Sequence, residues 1–428
     1  MTLTANMSKA AMGVRLFSHD NSMNMGAMHF DRYNKEMAIF CLDPAWRRII
    51  YTENGANWFK ELSFSDITNR SSVGNPNGIA IDMNDTMYAC DSDNDKIIKM
   101  YYKRLSDTLA TITNFSVTGL HPYHVAIDLQ GSRSNPPHSE NDLIWVTDER
   151  MFSEKLVAVH RDGQVVQTIT QYTTPIDTNG YIWFRDFQTI DNGTIAFIDG
   201  WRNSFVVAKR PSPGTVTVVP ITCNKFKYSS SELTCIGVDI NGEWWVGDKK
   251  QKMFHHFSKD GTYLASYPGI ESGSHAFKFS TPVSVTTCSY YKEDSTMYAN
   301  PYIYTSDPWG DTTGIRAFLP GIDIVDFRET GQTPTTLLCD FTLTNMAILQ
   351  GKLLYNDGSV DSMMVLDTTL MDAGKYTISL DKFNFKDNAN NYSLKLTAKS
   401  AYNSEYIHAS PAYECRITKE IKLKTGSN

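Results

Sequence analysis

Asp91, Asp93 and Asp95 alternate with Ser92 and Asn94 in the stretch DSDND, the spacing that opens a calcium loop of the D-x-[DN]-x-[DN]-G type. Such a loop also needs Gly at its sixth position and a bidentate Glu at its twelfth, to turn the chain and close the oxygen cage. Lys96 and Tyr102 stand there instead, so a solvated turn is expected. HPYH at 121–124 offers two histidines three apart, with no third ligand at an identifiable spacing. His255 and His256 are adjacent, and neighbours on a strand point to opposite faces, which rules out chelation by the pair. The signatures G-x-S-x-G, H-E-x-x-H, G-x-x-x-x-G-K and G-x-G-x-x-G are all absent. No catalytic residue, metal site or cofactor is assigned from these residues.

Asp91 belongs to something larger. An apolar pair, two further residues and an Asp recur as IFCLD, MYACD, IWVTD, IAFID, WWVGD, IYTSD and LLYND, ending at Asp43, Asp91, Asp148, Asp199, Asp248, Asp307 and Asp357. Most copies follow a second alternating element, such as GIAID, HVAID or CIGVD, and most precede a third, such as KIIKMYY or SFVVAKR. DNG at 191–193, ING at 240–242 and KDG at 259–261 supply hairpin turns, because these residues accept positive φ. A period near 50 residues carrying three or four antiparallel strands is the signature of a β-propeller blade. An all-β propeller over 14–371 is expected, with seven blades favoured by the intact LLYND copy and six as the alternative. In each blade the Asp ends the second strand, where its carboxylate is placed to accept N–H bonds from the turn.

The repeat fades after that. GKYTISLDKFNF, NNYSLKLTAKSAYN and ECRITKEIKL read as three strands, giving a β appendage over 372–428. YSLKLTAKSAYNS is similar to the penultimate strand of a fibronectin-III-like sandwich; a full sandwich would move the boundary to near 342 and absorb the seventh repeat.

Bulk properties exclude several classes. The 428 residues carry a formal charge of −7 and no long basic run, which argues against nucleic acid as a partner. No stretch approaches the 18 apolar residues of a membrane span, and the first residues lack an apolar run of signal-peptide length. Seven scattered cysteines without a C-x-x-C pair favour free thiols in a reducing, intracellular or virion setting over a disulfide framework.

Residues 76–97, PNGIAIDMNDTMYACDSDNDKI, and the unit CIGVDINGEWWVGD resemble the NHL repeat and the related blades of the SMP-30/gluconolactonase group. The resemblance covers roughly residues 20–370 and is specific for fold rather than function. It implies a divalent metal held near the start of the innermost strands by carboxylates and amides. Aligned on GIAID, those positions are Gly26, Asn77, Tyr123 or His124, Asp186, Thr234, Thr281 and Asn345. Asn77, Asp186 and Asn345 are the candidate oxygen donors and His124 the candidate base. Gly26 and Thr234 stand where the family carries acids, so the metal site is expected to be missing.

Four turns after the repeat Asp carry large aromatic or Arg side chains: DPAWRR, DERMF, DGWRNS and SDPWG. Equivalent positions should emerge on one face, so Trp46, Arg47, Arg150, Trp201, Arg202 and Trp309 are the candidate binding residues. The preferred expectation is therefore a non-catalytic recognition or scaffold propeller with a protein or glycan partner, as part of a larger assembly such as a virion or surface structure. The alternatives are a metal-dependent hydrolase of the SMP-30/lactonase type and a small-molecule carrier at the channel mouth.

Overall fold

The structure, a computed structural model, describes residues 12–17, 24–30, 37–43, 47–53, 60–64, 73–74, 76–82, 86–103, 108–128, 141–148, 155–173, 183–190, 194–209, 214–217, 230–239, 242–268, 282, 284–288, 302–307, 314–319, 322–355, 362–382, 385, 392–400 and 416–423. Among these every extended element is a strand, and no helix is long and apolar enough to cross a membrane. The chain divides into two compact units, one made of Gly13–Tyr263 and Pro268–Phe318 and the other principally of Leu319–Asn428.

In the first unit, β1 (Met12–Phe17) precedes a series of antiparallel sheets laid down in chain order. The first sheet is β2 (Asn24–Phe30), β3 (Met37–Asp43), β4 (Arg48–Glu53) and β5 (Lys60–Ser63). The second is β6 (Pro76–Ile81), β7 (Thr86–Asp91), β8 (Lys96–Lys103) and β9 (Thr108–Phe115). The third is β10 (Pro122–Asp128), β11 (Leu143–Asp148), β12 (Leu156–Val159) and β13 (Val165–Thr173); the fourth is β14 (Phe184–Ile190), β15 (Thr194–Asp199) and β16 (Ser204–Lys209). A short β17 (Gly214–Thr217) then pairs in parallel with β13. The fifth sheet is β18 (Leu233–Val238), β19 (Trp244–Asp248), β20 (Met253–Phe257) and β21 (Tyr263–Pro268). The last is β22 (Ser284–Cys288), β23 (Tyr302–Asp307) and β24 (Gly314–Leu319), with β1 returning to its edge. First strands lie beside first strands in the order β2, β6, β10, β14, β18, β22, and β22 lies against β2.

Strands with cores on both faces need not alternate, and TMYACD, TIAFID and WWVGD are buried throughout. Period-2 geometry divides the load. Ile79, Met87 and Ala89 face the first sheet and pack with Phe40, Leu42 and Ile49, whereas Ala80, Tyr88 and Cys90 face the third and pack with Val125, Ile144 and Val146. The same alternation joins sheets three to four and four to five. Cys90, Cys235 and Cys339 are free and buried, as the scattered thiols suggested, and burial pushes the Cys339 thiol up to about 12.

Asp91, Asp148, Asp199 and Asp248 each end the second strand of their sheet, buried, and bind backbone. Both Asp91 oxygens accept the Gly74 N–H, at 3.1 Å, and Asn94 donates to it at 2.8 Å. Asp148 accepts the His121 N–H. Asp199 accepts the N–H of Trp183 and of Trp201, and Asp248 those of Glu232 and Gln251. The carboxylate thus ties the turn after the second strand to the segment entering the first. DSDND is such a turn: Ser92–Asn94 form one 3-10 turn and Asp95 takes φ 53°.

The seventh copy of the repeat was expected to be a blade like the others. Its LLY residues instead run in the C-terminal unit, whose strands are β25 (Ile324–Gln332), β26 (Thr336–Leu343), β27 (Ala347–Tyr355), β28 (Ser362–Met371), β29 (Gly374–Asp381), β30 (Tyr392–Ser400) and β31 (Arg416–Lys422). One sheet has the order β25-β26-β29 and the other β28-β27-β30-β31. The five-residue motif describes any apolar strand approaching a turn. Here the apolar face of β27, Leu349 and Leu353, finds its core in Leu337, Phe341, Leu394 and Leu396. Asp357 lies outside the described residues.

Asp248 is stabilising only while ionised. Its burial opposes ionisation, but bonds from His255, Ser231, Gln251 and Glu232 outweigh it and hold the carboxyl below its ordinary range. That contribution is present above about pH 4 and is lost as pH falls through the lowered value. Asp248→Ala should cost about 3 kcal/mol in urea unfolding at pH 7, because it orphans buried donors. Asp93→Ala, on the exposed side of an equivalent turn, should stay within about 0.5 kcal/mol.

Candidate functional site

Five of the six first strands, all but β22, share a defect at the same place. Their ladders slip between Met25 and Ala27, Asn77 and Ile79, Pro122 and Val125, Phe184 and Asp186, and Leu233 and Cys235. A bulge leaves the extra residue out of the ladder and re-aims the side chains around it. The residues concerned include Gly26, Asn77, Tyr123, His124, Asp186 and Thr234, the positions singled out by aligning the repeats. Gly78 shows how close the neighbouring backbones come: its φ is +60°, and a Cβ there would sit 2.9 Å from His124 Cα.

His124 on β10 and Asp186 on β14 face each other across adjacent sheets, with Nδ1 3.9 Å from Oδ1. Asp186 is fixed by two backbone donors, Phe187 N–H to Oδ1 and Ile236 N–H to Oδ2, each 2.8 Å. Burial nonetheless dominates and raises its carboxyl to about 7. Burial likewise lowers the His124 imidazole to about 4, against a hydrogen bond to the Arg185 backbone. Both groups are therefore neutral between those values. Arg185 itself points away, donating to the Leu233 carbonyl at 2.8 Å and lying 4.7 Å from the Trp183 ring centroid.

A second cluster lies where β18 turns into β19. One ligand atom each of Asp239, Glu243 and His256 falls within 4.8 Å of the other two, and all three residues are buried. Two carboxylates reach this place because the hairpin turn puts Asp239 N–H on the Glu243 carbonyl, and Glu243 N–H on Asp239 Oδ1 at 3.0 Å. His256 Nε2 lies 2.8 Å from Glu243 Oε2. Trp245 completes the arrangement: its Nε1–H donates to Asp239 Oδ2 at 3.1 Å and its ring stacks on His256, centroids 3.9 Å apart. Burial, then the neighbouring Glu243, raise Asp239 to about 7.

This cluster was not anticipated. His256 was set aside together with His255, and the two do face opposite ways, His255 toward Asp248 at 3.4 Å and His256 toward Glu243. The available signal was period 2 across two strands: Glu243, Trp245 and the Trp245 partner His256 share one face.

The other expected residues scatter. Asn77 is buried and donates to Ser92 Oγ at 3.0 Å. Asn345 lies in the C-terminal unit, between β26 and β27, its Oδ1 accepting the Met346 N–H. Trp201 is 50% exposed and packs on Trp183, and Arg202 is held 2.7 Å from Asp199. Arg47 is exposed with φ 52°. Trp46, Arg150 and Trp309 lie outside the described residues. The oxygen cage implied by the family resemblance does not form from this set. Asp186 is the single carboxylate, Gly26 has no side chain, and Thr234 Oγ1 donates to the Pro282 carbonyl.

No family model matches the chain, and no curated protein matches it in sequence. Solved structures similar to it include a putative gluconolactonase, at 10% identity over 72% of this chain and 92% of that one, TM-score 0.47. Virginiamycin B lyase from Staphylococcus aureus is 11% identical over 72% and 98%, TM-score 0.42. The calcium-binding protein regucalcin from Agrobacterium tumefaciens is 10% identical over 69% and 89%, TM-score 0.41. At such identities and TM-scores these likenesses carry no chemistry to this chain.

The expectation of a non-catalytic scaffold, protein-binding or structural protein is corrected by the geometry. The convergent Asp239–Glu243–His256 cluster and the Asp186–His124 pair bury ionisable groups beside one another, at a desolvation cost that scaffolding does not require. The reading failed by missing the turn cluster.

Because Asp186 is raised from its unfolded value near 4 to about 7, the native state holds a proton that the unfolded state lacks in that window. Stability should therefore fall as pH rises from 4 to 7, with Asp239 adding to the slope. Asp186→Asn should remove on the order of 2 kcal/mol of this change, read from urea midpoints between pH 4 and 8.

Proposed function

We propose that the chain is a hydrolase of the lactonase-like kind, working at the channel mouth of a six-bladed propeller. The observation that carries this reading is the Asp186–His124 pair: two titratable groups 3.9 Å apart on adjacent bulged strands, their affinities for protons displaced in opposite senses. The succession of six sheets, with β22 beside β2, supports closure around a central channel whose mouth these strand starts line. The C-terminal unit we read as an appended fibronectin-III-like sandwich, since its strand orders correspond to A-B-E and C′-C-F-G.

A carboxylate raised to about 7 suits a general base at neutral pH, being part ionised yet strongly basic. Asp186 takes a proton from water as the water oxygen bonds to an ester or lactone carbonyl carbon. The ring C–O bond then breaks, and the proton passes from Asp186 to the departing alkoxide. The gap to His124 exceeds a hydrogen bond and accommodates a water or hydroxyl between the two. His124, uncharged at neutral pH, holds that hydroxyl without competing for the Asp186 charge. Trp201 and Arg202 leave the fourth sheet at the same end as Asp186, beyond Asp199, and would rim the mouth and select substrate.

The test is hydrolysis of a panel of aldonolactones and simple esters followed by pH-stat. Activity should rise through an apparent pKa near 7, and Asp186→Asn, its fold checked by circular dichroism, should lower kcat by about 10²–10⁴-fold. Trp201→Ala should raise KM several-fold with kcat unchanged. Hydrolysis indifferent to Asp186→Asn, or none by the wild type across the panel, overturns the reading.

A further inference from the structure

We propose that Asp239, Glu243 and His256 form a binding site for one divalent transition-metal ion of the zinc class. The donor set is one imidazole nitrogen and two carboxylate oxygens, the borderline-soft mixture that zinc accepts and that calcium or magnesium does not favour. Ligand atoms at about 2.0–2.2 Å from a tetrahedral zinc stand roughly 3.3–3.6 Å apart. The three here already converge within 4.8 Å, so small side-chain adjustments complete the shell.

The supporting groups are those a metal site uses to orient its ligands. Asp239 is gripped by the Trp245 indole N–H and the Glu243 backbone N–H, and the His256 ring is clamped by the stacked Trp245 face, interplanar angle 15°. Ligand rotamers are therefore set before an ion arrives.

Charge gives an independent argument from elsewhere in the same unit. Asp82 occupies in the second sheet the place of Asp239 in the fifth: its N–H binds the Thr86 carbonyl as Asp239 N–H binds that of Glu243. Tyr88 stands there where Trp245 stands here, one pair in from the end of the ladder. Around Asp82 the positive charge comes from Arg161, whose Nη2 lies 3.0 Å from both Asp82 and Asp142. The fifth sheet also brings two carboxylates together, but opposite an imidazole. A dication bound there would lie among acids placed as those that the guanidinium joins in the second sheet.

The place also defines the role. β18 reaches Asp186 through the Ile236 N–H, and Asp239 lies three residues further on, about 10 Å along the strand. With exposures of 8%, 4% and 0%, the ligands leave little room for substrate. The ion would staple β18, β19 and β20, and this site is separate from the proposed reaction at the channel mouth.

The test uses the whole chain, stripped with chelator and titrated with Zn²⁺ and, for its visible spectrum, Co²⁺. One equivalent should bind, Co²⁺ should show the intense d–d bands of a four-coordinate site, and Zn²⁺ should raise the melting temperature. His256→Gln and the milder Asp239→Asn should each weaken binding at least about 100-fold, while Asp186→Asn leaves it unchanged. Absence of stoichiometric binding to the folded wild-type chain overturns the proposal. So does binding that survives both substitutions, or binding abolished by Asp186→Asn, which would place the ion at the mouth instead.

Discussion

A buried carboxylate at the end of the second strand holds together the second, third, fourth and fifth sheets of the first unit. Asp91, Asp148, Asp199 and Asp248 lie at or near zero exposure and accept N–H groups of the chain entering the same sheet, and Asp199 and Asp248 those of the following turn as well. Backbone donors at strand ends are stranded by geometry and costly to bury unpaired. One ionised side chain satisfies several at once and fixes where the first strand begins. That start is where the ladder slips, and the slip aims His124 and Asp186 at each other.

The opposite ends of the sheets obey a different constraint, the balance of buried charge. Asp82 and Asp142 share the Arg161 guanidinium. Asp239 and Glu243 meet an imidazole, under a tryptophan that both stacks and donates. Sheets built alike in backbone thus differ in the groups that meet their acids, and among the described residues the fifth assembles a metal-like donor set. The two ends of β18 consequently carry separable chemistry.

Much of this was legible in the chain. The six leading copies of the φ-φ-x-x-D motif each end a second strand, because apolar runs buried on both faces and a turn-binding Asp leave a periodic trace. The seventh copy carried the same letters with another partner. LLY in β27 satisfies its apolar face against β30 and β26, and no local signal distinguishes that core from the core of a neighbouring sheet. Asn345 illustrates the same limit, since alignment placed it with Asn77 and Asp186 while the fold assigns it to the other unit.

By itself the sequence determined the strand period, the turn aspartates, the all-β class and the reading of DSDND as a turn. Each of these depends on residues near one another in the chain, where propensity and spacing act directly. Only the tertiary structure decided which side chains meet: His124 with Asp186 across sixty-two residues, and His256 with the Asp239–Glu243 turn from the next strand. Those meetings depend on bulges and on sheet-to-sheet packing, whose energies are summed over many distant contacts. Desolvation, the cause of the raised Asp186 and lowered His124, exists only once the surrounding sheets have closed over them.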